Sequence, residues 1–284
     1  MAEITAAMVK ELRDKTDVPM MKAKQALVDT NGDMDAAITR LREENAKIQL
    51  KEGRVSAEGV IEAFTREHSH LGVLVEVNSE TDFVARNEDF VALARFLAKH
   101  AGANPTAQSV EELLDAVDTE TGHPARTKLQ ESLAKIRENI IFKRFVAFES
   151  AGTVDAYIHQ GGQIGAMVEL TGEGPAIKEL AREVSMHIAA ANPKYLHRED
   201  VPAEIVAQER DIVKTRTMAD EKNASKPAEI IEKIIEGGLN TFFKEKVLLE
   251  QPYIREPKQN IAQLVAGKAE VKRFVRFKIG EESA

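Results

Sequence analysis

Few side chains in this 284-residue sequence are arranged for covalent chemistry. There is no cysteine, which removes disulfides, zinc-thiolate sites, iron–sulfur clusters and thiol nucleophiles. His68 and His70 could both hold a metal, but no third ligand stands near them. Thr171-Gly172-Glu173-Gly174-Pro175 has the look of part of a phosphate loop. Ile177 takes the place of the third glycine of G-x-G-x-x-G, and no Walker lysine pattern is present. No nucleophile–base pair stands out either, so the chain reads as a non-enzyme with no cofactor. What remains is recognition by large apolar side chains among polar ones. Met20 and Met21 open a helical pattern, and Met21 is rotated by about 100° from the Met20–Ala23–Leu27 stripe. The pair is either core or an adaptable contact for a partner. Phe83 is flanked by Asp82 and Arg86; it either tucks onto its own helix or faces outward.

The elements that must position these residues begin with three short helices before about Asn45. Thr5 is a candidate N-cap for Met8, Val9 and Leu12. Pro19 suits the first turn of the second helix, which ends at Asn31-Gly32. Asp33 then caps a stripe of Met34, Ala37, Ile38 and Leu41. Lys47 to Arg54 reads as a charged connector.

An internal repeat follows. Gly59-Val-Ile-Glu-Ala-Phe and Gly72-Val-Leu-Val-Glu-Val return as Gly152-Thr-Val-Asp-Ala-Tyr and Gly165-Ala-Met-Val-Glu-Leu, both 93 positions later. Each copy reads strand, turn, strand, loop, helix, and the helices end at Ala101–Pro105 and Ala189–Pro193. The turns fall at His68-Ser69-His70 and Gly161-Gly162. Leu93, Phe96, Leu97 and Ala101 form one helix face; Ile177, Leu180, Ala181, Val184 and Ile188 form the other. A half-buried antiparallel sheet covered by helices is the expected packing, which makes the class α+β. The first copy carries five extra residues between its second strand and its helix, in Asn78 to Asn87. A loop that differs on a repeated scaffold is where function tends to sit.

Beyond Pro193, Pro202-Ala203 opens a helix to about Asp220, with Ile205, Ile212 and Val213 near one face. After the turn at Asn223–Pro227, a second helix with Ile230, Ile231, Ile234 and Ile235 is expected to end at Gly237-Gly238. Lys268 to Lys278 interleaves basic and aromatic residues, as in a nucleic-acid-binding strand. The alternation of Val275, Phe277 and Ile279 against Arg276 and Lys278 also suits a sheet strand with one buried face. With 47 acidic against 39 basic residues and a charge of -8, direct nucleic-acid binding is not expected. No run of about 18 apolar residues suggests a membrane span, and the start has no signal-peptide pattern. The chain is expected to be soluble and cytoplasmic.

Thr81-Asp82-Phe83-Val84 after an apolar strand resembles the T-D-F-V signature of the elongation factor Ts family, the bacterial guanine-nucleotide exchange factors for elongation factor Tu. Leu12-Arg13, Met20-Met21, Lys24, Ala26-Leu27, Asn31-Gly32-Asp33 and Leu41-Arg42 are similar to that family's N-terminal domain. Ala57-Glu58-Gly59, Tyr157-Ile158-His159, Met186–Ala190 and Gln251-Pro252-Tyr253 match later segments. Two departures stand out. Asp17-Val18-Pro19 replaces a glycine-rich turn, and Ala23 replaces a common cysteine; neither removes an apolar contact.

The resemblance implies a three-helix ubiquitin-associated-like bundle with its connector over 1–54 and a core subdomain over 55–150. A second subdomain takes 151–194 and 237–284, with an antiparallel coiled-coil hairpin inserted at 195–236. It implies elongation factor Tu as partner, both GDP-bound and nucleotide-free, and leaves a homodimer open. Asp82 and Phe83 would intrude beside the partner's magnesium-binding region, with Thr81 and Val84 completing the loop. Arg13, Met20 and Met21 would dock the bundle on the partner's nucleotide domain. His159 would contact the partner from the second copy.

Overall fold

The computed structural model describes residues 4–16, 18, 20–49, 56–66, 70–223 and 226–281. Three helices come first: α1 (Ala6–Thr16), α2 (Met20–Asp29) and α3 (Met34–Gln49). Thr5 accepts the Met8 N–H at 3.3 Å and Asp33 accepts the Ala36 N–H at 3.0 Å, so both caps form as their positions suggest. Asn31 and Gly32 take left-handed φ of 53° and 86°, which closes α2. Leu12, Ala23, Leu27, Ala37 and Leu41 fill the small core. Met20 does not join it. It lies in the first turn of α2 and is 49% exposed, and the buried stripe starts with Ala23 one turn on. Helix α3 runs on to Gln49, so the expected connector begins as helix. Residues 50–55 lie outside the described residues, as do Asp17 and Pro19.

The repeated core holds β1 (Glu58–Thr65), β2 (Leu71–Ser79), α4 (Asp82–Ala85), α5 (Glu88–Ala103), α6 (Val110–Asp115), α7 (Ala125–Ile136) and β3 (Ile141–Glu149) in its first half. The second half begins with β4 (Thr153–Ile158), β5 (Ile164–Leu170) and α8 (Pro175–Ala191). It continues through α9 (Ala203–Ala219), α10 (Ala228–Lys246), β6 (Pro252–Tyr253), β7 (Glu256–Asn260), α11 (Ile261–Val265) and β8 (Val271–Lys278). Two three-stranded antiparallel sheets result, in the orders β1-β2-β3 and β4-β5-β8, and β6 pairs with β7 in a small ribbon. Both middle strands carry a register shift at the same repeat position, after Glu76 and after Glu169.

The half-buried sheet expected from the pattern is not what forms. Every residue of β2 is buried. Val73, Val75 and Val77 face α5 in one cluster, while Ile61, Leu74 and Phe148 meet Val154, Met167 and Phe277 of the other sheet. The layers therefore run helices, sheet, sheet, helices. Close approach of the sheets requires glycine at two equivalent places. A Cβ on Gly72 would lie 2.4 Å from a Val154 methyl, and one on Gly165 would lie 2.5 Å from an Ile61 methyl.

The repeat also extends to the third strands. Lys143-Arg144-Phe145-Val146 recurs as Lys272-Arg273-Phe274-Val275, from 143 to 272, a spacing of 129. The change from 93 hides this copy, because the segments between second and third strands differ in length. The strand reading of Lys268–Lys278 thus stands. Lys272, Arg273 and Arg276 are each paired with a carboxylate, on Glu270, Glu169 and Glu281.

Helices α9 and α10 lie against one another, with their roots around Val201, Leu239, Phe243 and Val247. Helix α10 does not end at Gly237-Gly238 but continues to Lys246. Leu239 and Phe243 extend its apolar stripe, and Gly238 lets the chain pass close to Val213. Ala224 and Ser225 of the turn lie outside the described residues.

Candidate functional site

The five-residue insertion builds a short, outward-turned motif at the end of β2. The Ser79 hydroxyl, fully buried, donates to the Thr81 carbonyl at 3.0 Å. Thr81 is extended (φ -125°, ψ 154°) and caps α4, its Oγ accepting the Val84 N–H at 3.3 Å. Successive helical residues point about 100° apart, and four residues suffice to sort inside from outside. Ala85 is buried and Val84 packs on the first core cluster. Phe83 is 84% exposed. The tuck of Phe83 onto its own helix does not occur. The Asp82 carboxylate meets Arg86 at 3.1 Å across one turn, both side chains open to solvent.

One partner of this loop was not visible as sequence pattern. Glu138, between α7 and β3, accepts the Thr81 hydroxyl at 2.9 Å and the Thr81 N–H at 3.2 Å. In return Glu80 accepts the Asn139 N–H at 3.0 Å. Glu138 lies 57 residues from Thr81, so no local periodicity points to it.

His159 is exposed in the β4–β5 hairpin, its Nδ1 3.1 Å from the Tyr157 hydroxyl. The Arg182 guanidinium lies 5.2 Å over the Tyr157 ring. A groove of 330 Å³ opens beside His159, lined also by Tyr157, Ile164, Met186, Ile254 and Arg255. The hairpin leans on the first sheet through Gln163, which donates to the Gly59 carbonyl at 3.0 Å. Gly59 pairs with Asn78, three residues before Thr81. The loop of Asp82 and Phe83 and the hairpin of His159 therefore come to the same end of one sheet, although 76 positions separate Phe83 from His159.

Arg13 lies on α1, and Met20 and Met21 open α2. Arg13 is half exposed beside Asp14, and Met21 is 75% exposed. Val28, seven residues after Met21 and thus on the same helix face, is also exposed. Both methionines stand on the surface rather than in the core. The bundle meets the core where α3 runs along α7.

Other candidates for chemistry are engaged elsewhere. His70 donates through Nδ1 to the Gly152 carbonyl at 3.0 Å, and His68 lies outside the described residues. Among the described residues, no group of three or more metal-ligating side chains comes together, and no helix is long and apolar enough to cross a membrane.

Comparison with known proteins bears on the chain as a whole. Residues 80–281 match the family model described as Elongation factor TS. The chain is 43% identical over 282 residues to the elongation factor Ts of Alkalilimnicola ehrlichii, covering 98% of this chain and 92% of that relative.

Proposed function

Because this chain belongs to the elongation factor Ts family, we propose that it is a guanine-nucleotide exchange factor that binds elongation factor Tu during translation elongation in the bacterial cytoplasm. Such a factor needs no covalent chemistry. It binds the nucleotide-free partner more tightly than the GDP-bound one, and by linkage the nucleotide weakens the factor by the same ratio. GDP release and GTP rebinding follow from that difference.

One observation carries the finer reading: Phe83 stands almost wholly in solvent on a turn that Thr81, Val84 and Ala85 anchor. An exposed phenyl ring next to a carboxylate is suited to wedge between partner side chains. Intrusion of Asp82 and Phe83 beside the partner's magnesium site would shift the groups that neutralise the GDP phosphates, and the nucleotide would leave faster. Thr81 and Val84 hold that turn. The exposed face of α2, with Met20, Met21 and nearby Arg13, is suited to dock on the partner's nucleotide domain as a ubiquitin-associated-like module. His159 would make a second contact from the neighbouring hairpin. The acidic total, and the carboxylates that pair three of the four cations of β8, support action through a protein partner rather than through RNA.

The test is release of labelled GDP from elongation factor Tu in stopped flow. Catalytic amounts of the protein should accelerate it; an unchanged release rate rules the reading out.

A further inference from the structure

We propose that Glu138 is the positioning residue of the loop that carries Asp82 and Phe83; this rests on the exchange reading above. Phe83 has little packing of its own to hold it in place, being 84% exposed. Helix α4 has four residues, too few to be stable alone. The direction of the ring is therefore set from behind, through Thr81. Every polar group of Thr81 is engaged: its carbonyl accepts from Ser79, its N–H and hydroxyl both donate to Glu138, and its Oγ accepts from Val84. Because the hydroxyl hydrogen goes to Glu138, the oxygen lone pairs are left for the Val84 N–H. The cap of α4 and the carboxylate of Glu138 thus depend on one another.

Glu138 is itself held in place. Helix α7 ends at Ile136, and Arg137 adopts a left-handed φ of 66°, which turns the chain toward β2. The Asn139 N–H then donates to Glu80, so two hydrogen-bonded crossings join the loop to the start of β3. An ionised carboxylate offers two acceptors for two donors, and bonds to a charged acceptor are stronger than neutral ones. A glutamine would supply one acceptor oxygen only.

The experiment measures GDP release from elongation factor Tu with the full chain, across a range of factor concentrations. Glu138→Ala should lower the saturating release rate by about tenfold while the half-saturating concentration changes by less than about twofold. Glu138→Gln should fall between it and wild type. In a Phe83→Ala background the same substitution should cost much less than it does in wild type, because the ring through which most of its effect passes is already gone. Wild-type rates for Glu138→Ala, or a full additional loss on top of Phe83→Ala, overturn the assignment. Should Glu138→Ala fold poorly, Thr81→Val, which removes the hydroxyl, takes its place with the same expectations and the same overturning results. Amide hydrogen exchange at Thr81 should quicken in Glu138→Gln; an unchanged rate overturns the clamp even if the wild-type chain releases no GDP. An inert wild-type chain would by contrast end the exchange reading, so the two failures are distinguishable.

Discussion

The Arg144 guanidinium lies 4.1 Å over the ring of Phe277, crossing from one sheet to the other. The repeat returns the contact, with Arg273 4.2 Å over Phe148. The same exchange recurs in Gln163 reaching Gly59 and His70 reaching Gly152. The two copies face one another about an approximate two-fold relation, and each supplies what the other receives. The symmetry is broken at the loop after the middle strand, where the first copy has Thr81–Val84 and the second has Gly172–Gly174.

Arg144 also neutralises Glu76, which is fully buried between the sheets, with Lys143 as a second partner at 3.2 Å. Arg144→Ala should destabilise the protein by about 3 kcal/mol, because a buried carboxylate loses its closer cation. Arg273→Ala should cost clearly less, since that arginine is half exposed. Thermal or urea unfolding of both variants checks the order.

Phe83→Ala should leave stability within about 0.5 kcal/mol of wild type, as for other exposed sites. Nucleotide release from elongation factor Tu should slow by at least about tenfold. Unfolding curves and stopped flow together separate the two effects. Wild-type release would sink the wedge reading and leave the family assignment intact.

Met21→Ala addresses the other surface. Met21 is 75% exposed, so the fold should tolerate the change, while the concentration of factor needed for half-maximal exchange should rise severalfold. A lowered maximal rate at unchanged half-saturation would place Met21 in the release step instead of docking.

Neighbouring glycines in α10 should respond oppositely to alanine. Nothing lies within 4 Å of a Cβ on Gly237, so Gly237→Ala should stabilise by about 0.5–1 kcal/mol through helix propensity. A Cβ on Gly238 would fall 2.4 Å from a Val213 methyl, and Gly238→Ala should destabilise by about 1–3 kcal/mol. Equal effects in thermal unfolding would mean that α9 and α10 do not pass as closely as described.

His187 predicts a pH dependence. It is fully buried in α8, its Nε2 donating to the Gln251 Oε1 at 2.9 Å and its Nδ1 accepting the Ile254 N–H at 3.4 Å. Burial pushes its pKa below the ordinary histidine value, with the Gln251 bond opposing. The unfolded state therefore takes up a proton at higher pH than the native state does. Stability is complete above about pH 6.5 and declines as pH falls from there through the lower native value. His187→Gln should flatten that slope below about pH 6.5. Comparing variant with wild type cancels the nearby Glu183–Arg255 pair, whose atoms approach to 3.6 Å. An identical slope in both proteins would refute the assignment.

Much of this molecule was readable along the chain. The caps at Thr5 and Asp33, the closing turn at Asn31-Gly32 and the repeated hairpins depend on neighbours within a few positions, and backbone sterics and side-chain reach act over that range. Thr81-Asp82-Phe83-Val84 stood out because one copy of a repeat carried it and the other did not. Zero cysteine and the mixed charge narrowed the chemistry before any fold was known.

Tertiary structure decided the rest. Whether Met20 and Phe83 are covered depends on what passes beside them; Phe83 is left 84% exposed and Met20 about half exposed. Strand β2 is buried on both faces because a second sheet lies across it, which alternation in one strand could not show. The repeat relation between the third strands is hidden along the chain because the spacing moves from 93 to 129. Helix α10 passes through two glycines because packing against Val213 outweighs a modest backbone preference. Glu138 reaches Thr81, and His159 reaches the end of the sheet that bears Phe83, only when the chain has closed loops of many residues. Side-chain type determined what each residue could do; long-range closure determined which of them meet.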